Sequence, residues 1–231
     1  MTDDLLAEQI RYYRERAPEY DATSVPHDHP FGAPMARIAT DLRALGPVAT
    51  AIELGAGTGQ WTGTLASIAA SVVAVDASPE ALALLRAKVD APNVGTVAAD
   101  VFAWSPDAPA DLVVFGALLS HVPSERFEAF WSAVAAMLAP GGRVFLIDEA
   151  PHALWPEEWT GQDEIVMRTL EDGRRFRIVK VLWEPAALEA RLDGIGWHAS
   201  FEREDPFFWG VVTRVAPADR SGPDARPSAH G

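Results

Sequence analysis

The chain has 231 residues, 48% of them apolar and 23% charged, which predicts one folded domain with or without an appendage. Its 33 acidic and 19 basic side chains give a formal net charge of −14, which disfavours binding to nucleic acid or to an anionic membrane. The sequence contains no cysteine, which excludes disulfides, thiolate metal sites and a cysteine nucleophile. Because the start is acidic and no apolar run approaches about 18 residues, we expect a cytoplasmic protein.

The N-terminal segment, residues 1–46, is predicted to form two helices. The first spans about Leu5–Arg16 and the second about Met35–Leu45, with a stretch rich in Pro, His and Gly over Pro18–Pro34 between them. The run His27-Asp28-His29 lies in this stretch. Since three adjacent loop residues cannot easily converge on one ion, we predict no metal site.

Strands and helices alternate over the main domain, residues 47–215. Strands separated by helices indicate an α/β fold with a parallel sheet and helices on both faces. Helices are predicted over Trp61–Ala70, from the Ser78-Pro79-Glu80 start, and from a Ser124 cap to Pro140-Gly141-Gly142. The predicted strands are 48–54, 72–76, Val94–Ala98, Asp111–Gly116 and 143–148.

The C-terminal part departs from this alternation. An inserted β-hairpin at about 164–183 is predicted from strands Glu164–Leu170 and Arg174–Trp183, because Asp172-Gly173 is a strong turn signal. The next predicted elements are a helix, Pro185–Ile195, and two strands, His198–Arg203 and Phe207–Val215. Residues 216–231 hold three prolines and no large apolar side chain, so we expect a disordered tail.

A glycine-rich turn, ELGAGTGQW at 53–61, lies between a predicted strand and a helix. Glycines allow a tight turn and let a ligand lie against the backbone. The spacing is G-x-G-x-G, whereas dinucleotide-binding proteins have G-x-G-x-x-G. Asp76 ends the next strand, where a carboxylate can accept hydrogen bonds from a ribose diol, and Asp100 follows the third strand, within reach of an adenine amine. These features predict a pocket for an adenosine with a small group at its other end.

Four segments in this order carry a family resemblance: ELGAGTGQW, VVAVDAS, AADVFAW and LAPGGRVFLID. They resemble the successive motifs of the class I S-adenosylmethionine-dependent methyltransferases. The opening RYYRERAPEYD is similar to the lid helix of the small-molecule, ubiquinone-biosynthesis-like branch, and the match covers roughly residues 9–150. The resemblance implies a Rossmann-like, doubly wound sheet with a reversed C-terminal edge strand.

The resemblance also implies S-adenosyl-L-methionine as the cofactor and assigns its contacts. The three glycines would approach the methionine moiety, and Glu53 would orient the loop. Asp76 would hold the ribose, while Asp100 and Val101 would flank the adenine. Aromatic residues of the lid, Tyr12, Tyr13 and Tyr20, and Trp61 of the turn are further candidates. The alternative for Trp61, and for Tyr12 or Tyr13, is a place in the core. The complete predicted set is Tyr12, Tyr20, Glu53, Gly55, Gly57, Gly59, Trp61, Asp76, Ala77, Asp100, Val101 and Gly116.

His121 is the candidate catalytic and substrate-contacting residue, because it lies just past the fourth strand and imidazole is a natural proton acceptor near neutral pH. The alternative is a histidine that binds nearby backbone. Trp155 is a candidate wall of the substrate pocket. In the hairpin, Arg168 and Arg174 are candidates for binding an anionic substrate group, since arginine binds carboxylates in a bidentate manner. The alternative is a hairpin exposed to solvent, whose charges discourage its edge strand from pairing with another chain.

We therefore predict a methyltransferase that acts on a small organic acceptor, with oxygen favoured and a phenol or carboxylate of secondary metabolism as the expected class. The signature of base-methylating enzymes is missing after the fourth strand, where the chain reads FGALLSH. Two alternatives remain at this point: a nicotinamide-dependent oxidoreductase on a similar sheet, and a non-catalytic or repurposed S-adenosylmethionine-binding protein. The sequence leaves the oligomeric state open, with a homodimer as one option.

Overall fold

The computed structural model describes residues 3–24, 32–151 and 157–215. Trp155, the run His27-Asp28-His29 and the tail at 216–231 lie outside the described residues. The helices are α1 (Asp3–Ser24), α2 (Gly32–Arg43), α3 (Thr62–Ala66), α4 (Pro79–Lys88), α5 (Phe127–Met137) and α6 (Pro185–Asp193). The strands are β1 (Val48–Leu54), β2 (Ala69–Asp76), β3 (Val94–Ala98), β4 (Ala110–Gly116), β5 (Leu138–Glu149), β6 (Glu158–Trp159), β7 (Ile165–Thr169), β8 (Arg175–Val179), β9 (Trp197–Glu204) and β10 (Phe207–Arg214).

A seven-stranded sheet forms the centre of the domain, in the order β3-β2-β1-β4-β5-β10-β9. The first five of these strands pair in parallel, and β10 runs antiparallel to both of its neighbours. The predicted α/β fold with a mostly parallel sheet and a reversed strand in its C-terminal part is confirmed. The strand order changes direction between β1 and β4, so a crevice opens at the carboxyl ends of these two strands.

The two faces of the sheet are buried under different helices. Along β4, Val113 and Phe115 belong to a core cluster that includes Trp131 of α5, whereas Leu112 and Val114 pack with Ile38 of α2. Alternate residues of a strand point to opposite faces, and here both faces are apolar. The continuous apolar run of β4 therefore follows from helices covering both sides of the sheet.

The first helix is longer than predicted. It continues past Arg16 and through Pro18 to Ser24. The predicted end at proline was wrong because the last turns have tertiary partners: Ala17 is buried, and Asp21 bonds to Thr58 and Lys88. Packing has overridden the cost of a proline within the helix.

Smaller differences concern element ends. The helix predicted over Trp61–Ala70 is the five-residue α3, because β2 already begins at Ala69 and pairs with β1. The predicted Ser124 cap is absent: a short 3-10 turn intervenes before α5, and the backbone N–H of Ser124 donates to Glu164 at 3.1 Å. Within the described ranges, no helix combines the length and the apolar character needed to cross a membrane.

The predicted hairpin is present as β7 and β8, with Gly173 at φ +88° in its turn. These strands join the short β6 in a separate three-stranded sheet. Val166, Phe176 and Ile178 of this small sheet pack against Tyr12 of α1. The hairpin and α1 thus form one unit above the carboxyl ends of the large sheet.

Candidate functional site

The turn after β1 forms a glycine loop that opens into the crevice. Gly55, Gly57 and Gly59 have φ values of +63°, +54° and +88°, conformations that other residues rarely adopt. A Cβ on Gly57 would meet no atom closer than the Gly55 oxygen, at 4.0 Å. The space beside Gly57 is therefore open cavity, so a ligand can lie directly on the backbone.

Asp76, at the end of β2, holds this loop in place. Its Oδ2 accepts a hydrogen bond from the Gly57 N–H at 2.8 Å, and its Oδ1 accepts one from the Ser78 N–H at 2.7 Å. Each carboxylate oxygen keeps a lone pair that can accept a further hydrogen bond. Burial raises the pKa of Asp76 even though these two backbone N–H groups act in the opposite direction.

The first cavity lies between the glycine loop and α1, with an open volume of about 970 Å³. Its floor comes from the ends of the sheet strands, and α1 covers it with Leu6, Gln9, Ile10, Tyr13, Ala17 and Tyr20. Eight of the twelve predicted cofactor residues line this cavity. They are Tyr20, Gly55, Gly57, Asp76, Ala77, Asp100, Val101 and Gly116.

The other four predicted cofactor residues do not line the first cavity and pack behind or beside it. Tyr12 is buried in the cluster with Phe176 of the hairpin. Gly59 packs against α4, because a Cβ there would lie 2.8 Å from Leu85 Cγ. Trp61 is buried directly behind Gly116, whose added Cβ would lie 2.7 Å from the indole nitrogen. This contact explains why position 116 requires glycine.

Glu53, the fourth of these residues, is buried beneath the loop. Its Oε2 accepts a hydrogen bond from the Thr62 hydroxyl at 2.6 Å. Burial raises its pKa from 4.5 to about 8, opposed by the Thr62 hydrogen bond and assisted by the charge of Asp76. At neutral pH this side chain is therefore a neutral carboxylic acid in the cofactor-free protein, ready to ionise beside a bound cation.

A second cavity, of about 1260 Å³ including its open mouth, adjoins the first. Both cavities are lined by Tyr13, Tyr20, Ala117 and His121, so these four residues mark the junction. Ala117 has φ +50°, an uncommon conformation for alanine, held by its N–H bond to the Ile147 oxygen at 2.9 Å. Strained backbone at the junction of two cavities is typical of a functional site.

Three cations line the second cavity: Arg16 of α1, and Arg168 and Lys180 of the hairpin. Arg168 binds Glu157 through both guanidinium branches, one contact being 2.8 Å, and Lys180 binds Glu149 at 2.6 Å. Arg16 donates to the hydroxyl of Thr23 at 3.2 Å, and within the described part of the chain no carboxylate lies within ion-pair distance of it. Arg16 is therefore the cation most available to an anionic ligand.

Arg174, the other arginine predicted to bind substrate, lies elsewhere. It donates to Asp172 at 2.7 Å, pairs with Glu15 of α1, and lines neither cavity. Arg177 similarly binds Glu8 of α1. The acidic residues along α1 explain these positions, because they attract the outward arginines of the hairpin and fasten the helix to it.

His121 is buried at the junction and bonded through both ring nitrogens. Its Nδ1 lies 2.7 Å from the Val179 carbonyl oxygen, which can only accept, so Nδ1 carries the proton. Its Nε2 therefore accepts the bond from the Tyr13 hydroxyl, at 2.7 Å. Burial and the charge of Lys180 lower the pKa of His121 well below its usual range.

Two residues of α1 lie outside the complete predicted set: Gln9, which sequence reasoning missed, and Tyr13, whose contact with His121 was not predicted. Gln9 donates to the His121 oxygen at 3.1 Å and accepts from the Val179 N–H at 2.9 Å. Tyr13, one turn later, binds the ring of the same histidine. Their i, i+4 spacing on one helix face was the available signal, since a buried glutamine needs polar partners.

A metal centre has no donor set in the described ranges, since no group of three or more His, Asp or Glu residues there could hold an ion. In the second cavity, Glu157 and Glu149 are instead paired with Arg168 and Lys180. The site can thus bind an adenosine-like group in the first cavity and a small polar molecule in the second.

Comparisons with known proteins agree with this arrangement. Residues 51–142 match the family model described as a methyltransferase domain. A structure of DhpI with SAH superposes with a TM-score of 0.81 and 39% identity, covering 94% of this chain and 100% of that one. A DhpI complex with SAM and HEP gives a TM-score of 0.80 and 40% identity, with 92% and 99% covered.

A more distant relative is trans-aconitate 2-methyltransferase from Azoarcus sp. (strain BH72). It is 34% identical over 131 residues, which are 52% of this chain and 50% of that protein. The chain therefore spans about half the length of this relative. The similarity to DhpI, in contrast, extends over all of that chain and 94% of this one.

Proposed function

Because the chain belongs to the class I S-adenosylmethionine-dependent methyltransferases, its methyl donor is S-adenosyl-L-methionine, and we propose that it methylates an oxygen of a small acid. The family membership displaces the nicotinamide-dependent oxidoreductase considered above. It also makes the chain an enzyme, with small-molecule methyltransferases as its relatives.

The residues of the first cavity fit this cofactor. Asp76 and Asp100 offer carboxylate oxygens to a ribose diol and an adenine amine, and Val101 offers an apolar contact. Gly57 leaves room for the methionine part, and the buried Glu53 can ionise in response to its ammonium group. The bound sulfonium supplies an activated methyl group, so the chain itself has to position a nucleophile and exclude water.

The proposal that the methyl acceptor is an acid rests on the charges of the second cavity. Arg16, Arg168 and Lys180 line it. Arg16 donates to hydroxyl groups and lies 4.8 Å from the centre of the Tyr20 ring, and no carboxylate among the described residues pairs with it. An amine acceptor would enter as an ammonium ion, which Arg16 would repel. Of the four carboxylates that line the cavity, Glu149 and Glu157 are each engaged by a cation, Glu19 accepts a hydrogen bond from the Glu171 N–H, and Glu171 is exposed. The relative named for trans-aconitate, a polycarboxylic acid, supports the same class of acceptor.

The test supplies methyl-labelled cofactor with four kinds of acceptor: trans-aconitate, hydroxybenzoates, neutral phenols and simple amines. We expect label in the acids. Arg16→Gln should raise the KM for an acid by about 10-fold or more, because a charged hydrogen bond contributes about 1.5–3 kcal/mol. The dissociation constant for S-adenosylhomocysteine should stay unchanged.

Arg11→Gln is the matched control, since Arg11 lies on α1 outside both cavities and contacts Phe176 and Glu15. It should leave the KM for the acid as in the wild type. Label found only in neutral or amine acceptors, or an Arg16→Gln variant with an unchanged KM, would refute an acid acceptor. A protein that binds cofactor and labels no compound at all would favour the repurposed binding protein.

A further inference from the structure

A chain of hydrogen bonds ends at the junction of the two cavities. The Val179 carbonyl fixes the proton of His121 on Nδ1, and the Tyr13 hydroxyl donates to the free Nε2. The hydroxyl proton of Tyr13 is therefore engaged, so its oxygen can only accept a further hydrogen bond. Tyr13 lines both cavities, so the residue that carries this oxygen lies between the methyl donor and the site of the acceptor.

We propose that Tyr13 is a catalytic residue that removes the proton from a hydroxyl group of the acceptor, and that the acceptor is a hydroxy acid. This inference rests on the proposed function, because it takes the acid group as the part held by the cations. It adds that the attacking oxygen is a neighbouring hydroxyl. His121 acts through Tyr13, as the positioning residue that stores the proton.

The step balances without another reactant. The acceptor O–H bond breaks and its proton moves to the Tyr13 oxygen, while the phenolic proton of Tyr13 moves to Nε2 of His121. The electron pair left on the acceptor oxygen forms the new O–CH₃ bond as the S–CH₃ bond of the cofactor breaks. His121 keeps the proton as imidazolium until product leaves and water re-enters the cavity. S-adenosylhomocysteine and a methyl ether are the products.

The charges around His121 favour an acceptor that carries an acid group. Lys180, Arg168 and Arg16 all lower its pKa, and Tyr13 faces it from α1. A bound anion would neutralise part of this positive field, so His121 would become a better proton acceptor only when substrate is present. If the attacking oxygen belonged to a carboxylate, in contrast, it would already be ionised at neutral pH. No proton would then have to be removed, and the hydrogen bonds from Tyr13 to His121 would have no catalytic role.

Hydroxy acids report which oxygen is attacked, because one probe can give two products. 2-Hydroxybenzoate, 4-hydroxybenzoate and 3-hydroxypropanoate are each incubated with methyl-labelled cofactor. Attack by the hydroxyl gives a methyl ether, which is stable in mild alkali, whereas attack by the carboxylate gives a methyl ester, which releases labelled methanol. We expect the ether.

Tyr13→Phe keeps the ring and removes the oxygen. We expect kcat for the ether to fall by about 100-fold or more, the usual contribution of a general base, with unchanged affinity for S-adenosylhomocysteine. Arg11→Gln is again the control, because Arg11 lies on the same helix, is exposed, and lines neither cavity. Its kcat should equal that of the wild type.

A second measurement needs no acceptor. Nitrogen NMR of the cofactor-free protein should show His121 protonated on Nδ1, with the signal assigned by its loss in His121→Gln. This glutamine can still accept the Tyr13 hydrogen bond but cannot take a proton at neutral pH, so kcat should fall while cofactor affinity is retained. The acidic limb of the kcat profile should also disappear in this variant.

The outcomes separate the two proposals. An alkali-labile ester, a Tyr13→Phe variant with wild-type kcat, or a His121 protonated on Nε2 would overturn the relay and leave the acid acceptor standing. Methylation of neutral or amine acceptors alone would overturn both. Absence of labelled product from all three hydroxy acids, in a protein that labels trans-aconitate, would likewise refute the hydroxy acid while supporting the acid.

Discussion

Replacing two glycines of the same loop by alanine should have different effects, one on protein stability and the other on ligand binding. Gly59 has φ +88°, and a Cβ there would lie 2.8 Å from Leu85 Cγ and 3.3 Å from Val89 Cγ2. Gly57 has φ +54°, and its Cβ would enter the first cavity without meeting a nearby atom. The first substitution therefore strains the packing of α4, and the second blocks the ligand.

The structure gives the size of each effect. An alanine in the left-handed region costs about 1–2 kcal/mol, and displacing Leu85 adds about 1–3 kcal/mol of overpacking. For Gly59→Ala a loss near 3 kcal/mol would lower Tm by about 6–12 °C in a domain of this size. Gly57→Ala has only the backbone cost, so its Tm should fall by about 2–8 °C, less than that of Gly59→Ala.

Thermal unfolding and calorimetric titration with S-adenosylhomocysteine measure both quantities. We expect Gly57→Ala to weaken binding by at least 10-fold, since its Cβ lies where the ligand meets the backbone. Gly59→Ala should bind with an affinity close to the wild type at a temperature where it is folded. Equal losses of stability in the two variants, or a greater loss of affinity in Gly59→Ala, would refute this division between packing and binding.

Two further predictions concern buried carboxyl groups. Because the pKa of Glu53 is raised from 4.5 to about 8, the folded cofactor-free protein holds a proton that the unfolded chain releases above pH 4.5. The contribution of this proton to the free energy of unfolding should therefore be lost as pH rises from about 5 towards 8. In urea titrations, the difference in free energy of unfolding between the wild type and Glu53→Gln should change over this pH range, and a constant difference would contradict the raised pKa of Glu53. Asp76→Asn should raise the dissociation constant for S-adenosylhomocysteine at least 10-fold, about 1.4 kcal/mol, because an NH₂ group cannot accept from Gly57 or Ser78; an unchanged constant would contradict the assignment of Asp76.

Much of the fold could be predicted because its signals are local. Apolar runs fix the strands of the large sheet, and the Asp172-Gly173 turn fixes the hairpin. The end of α1 could not be predicted, since Pro18 is a local stop signal that only distant partners such as Thr58 overcome. Ser124 is the opposite case: its hydroxyl is a good cap in isolation, but Glu164, distant in sequence, binds its backbone N–H.

Some residues of the candidate site could likewise be predicted from local sequence, and others could not. Residues on the loop and strand ends, such as Gly57 and Asp76, follow from motif and position. The choice between Tyr12 and Tyr13 depends on which side of α1 faces the hairpin core, and this is set by the packing of Phe176 against Tyr12. Likewise Arg174 is drawn away from the cavity by Glu15, a contact between residues 159 positions apart.

The two cavities also draw on different parts of the chain. The methyltransferase family model ends at residue 142, and within 51–142 only Ala117 and His121 line the second cavity. Its remaining walls come from α1 and from the region after β5, with Arg16, Arg168 and Lys180 among them. Substitutions at the flanking positions that line the second cavity alone, such as Arg16, Arg168 and Lys180, can alter the choice of acceptor while the donor site stays intact. Acceptor specificity could thus change during evolution through substitutions in the two flanking regions, and the family motifs within residues 51–142 would stay the same.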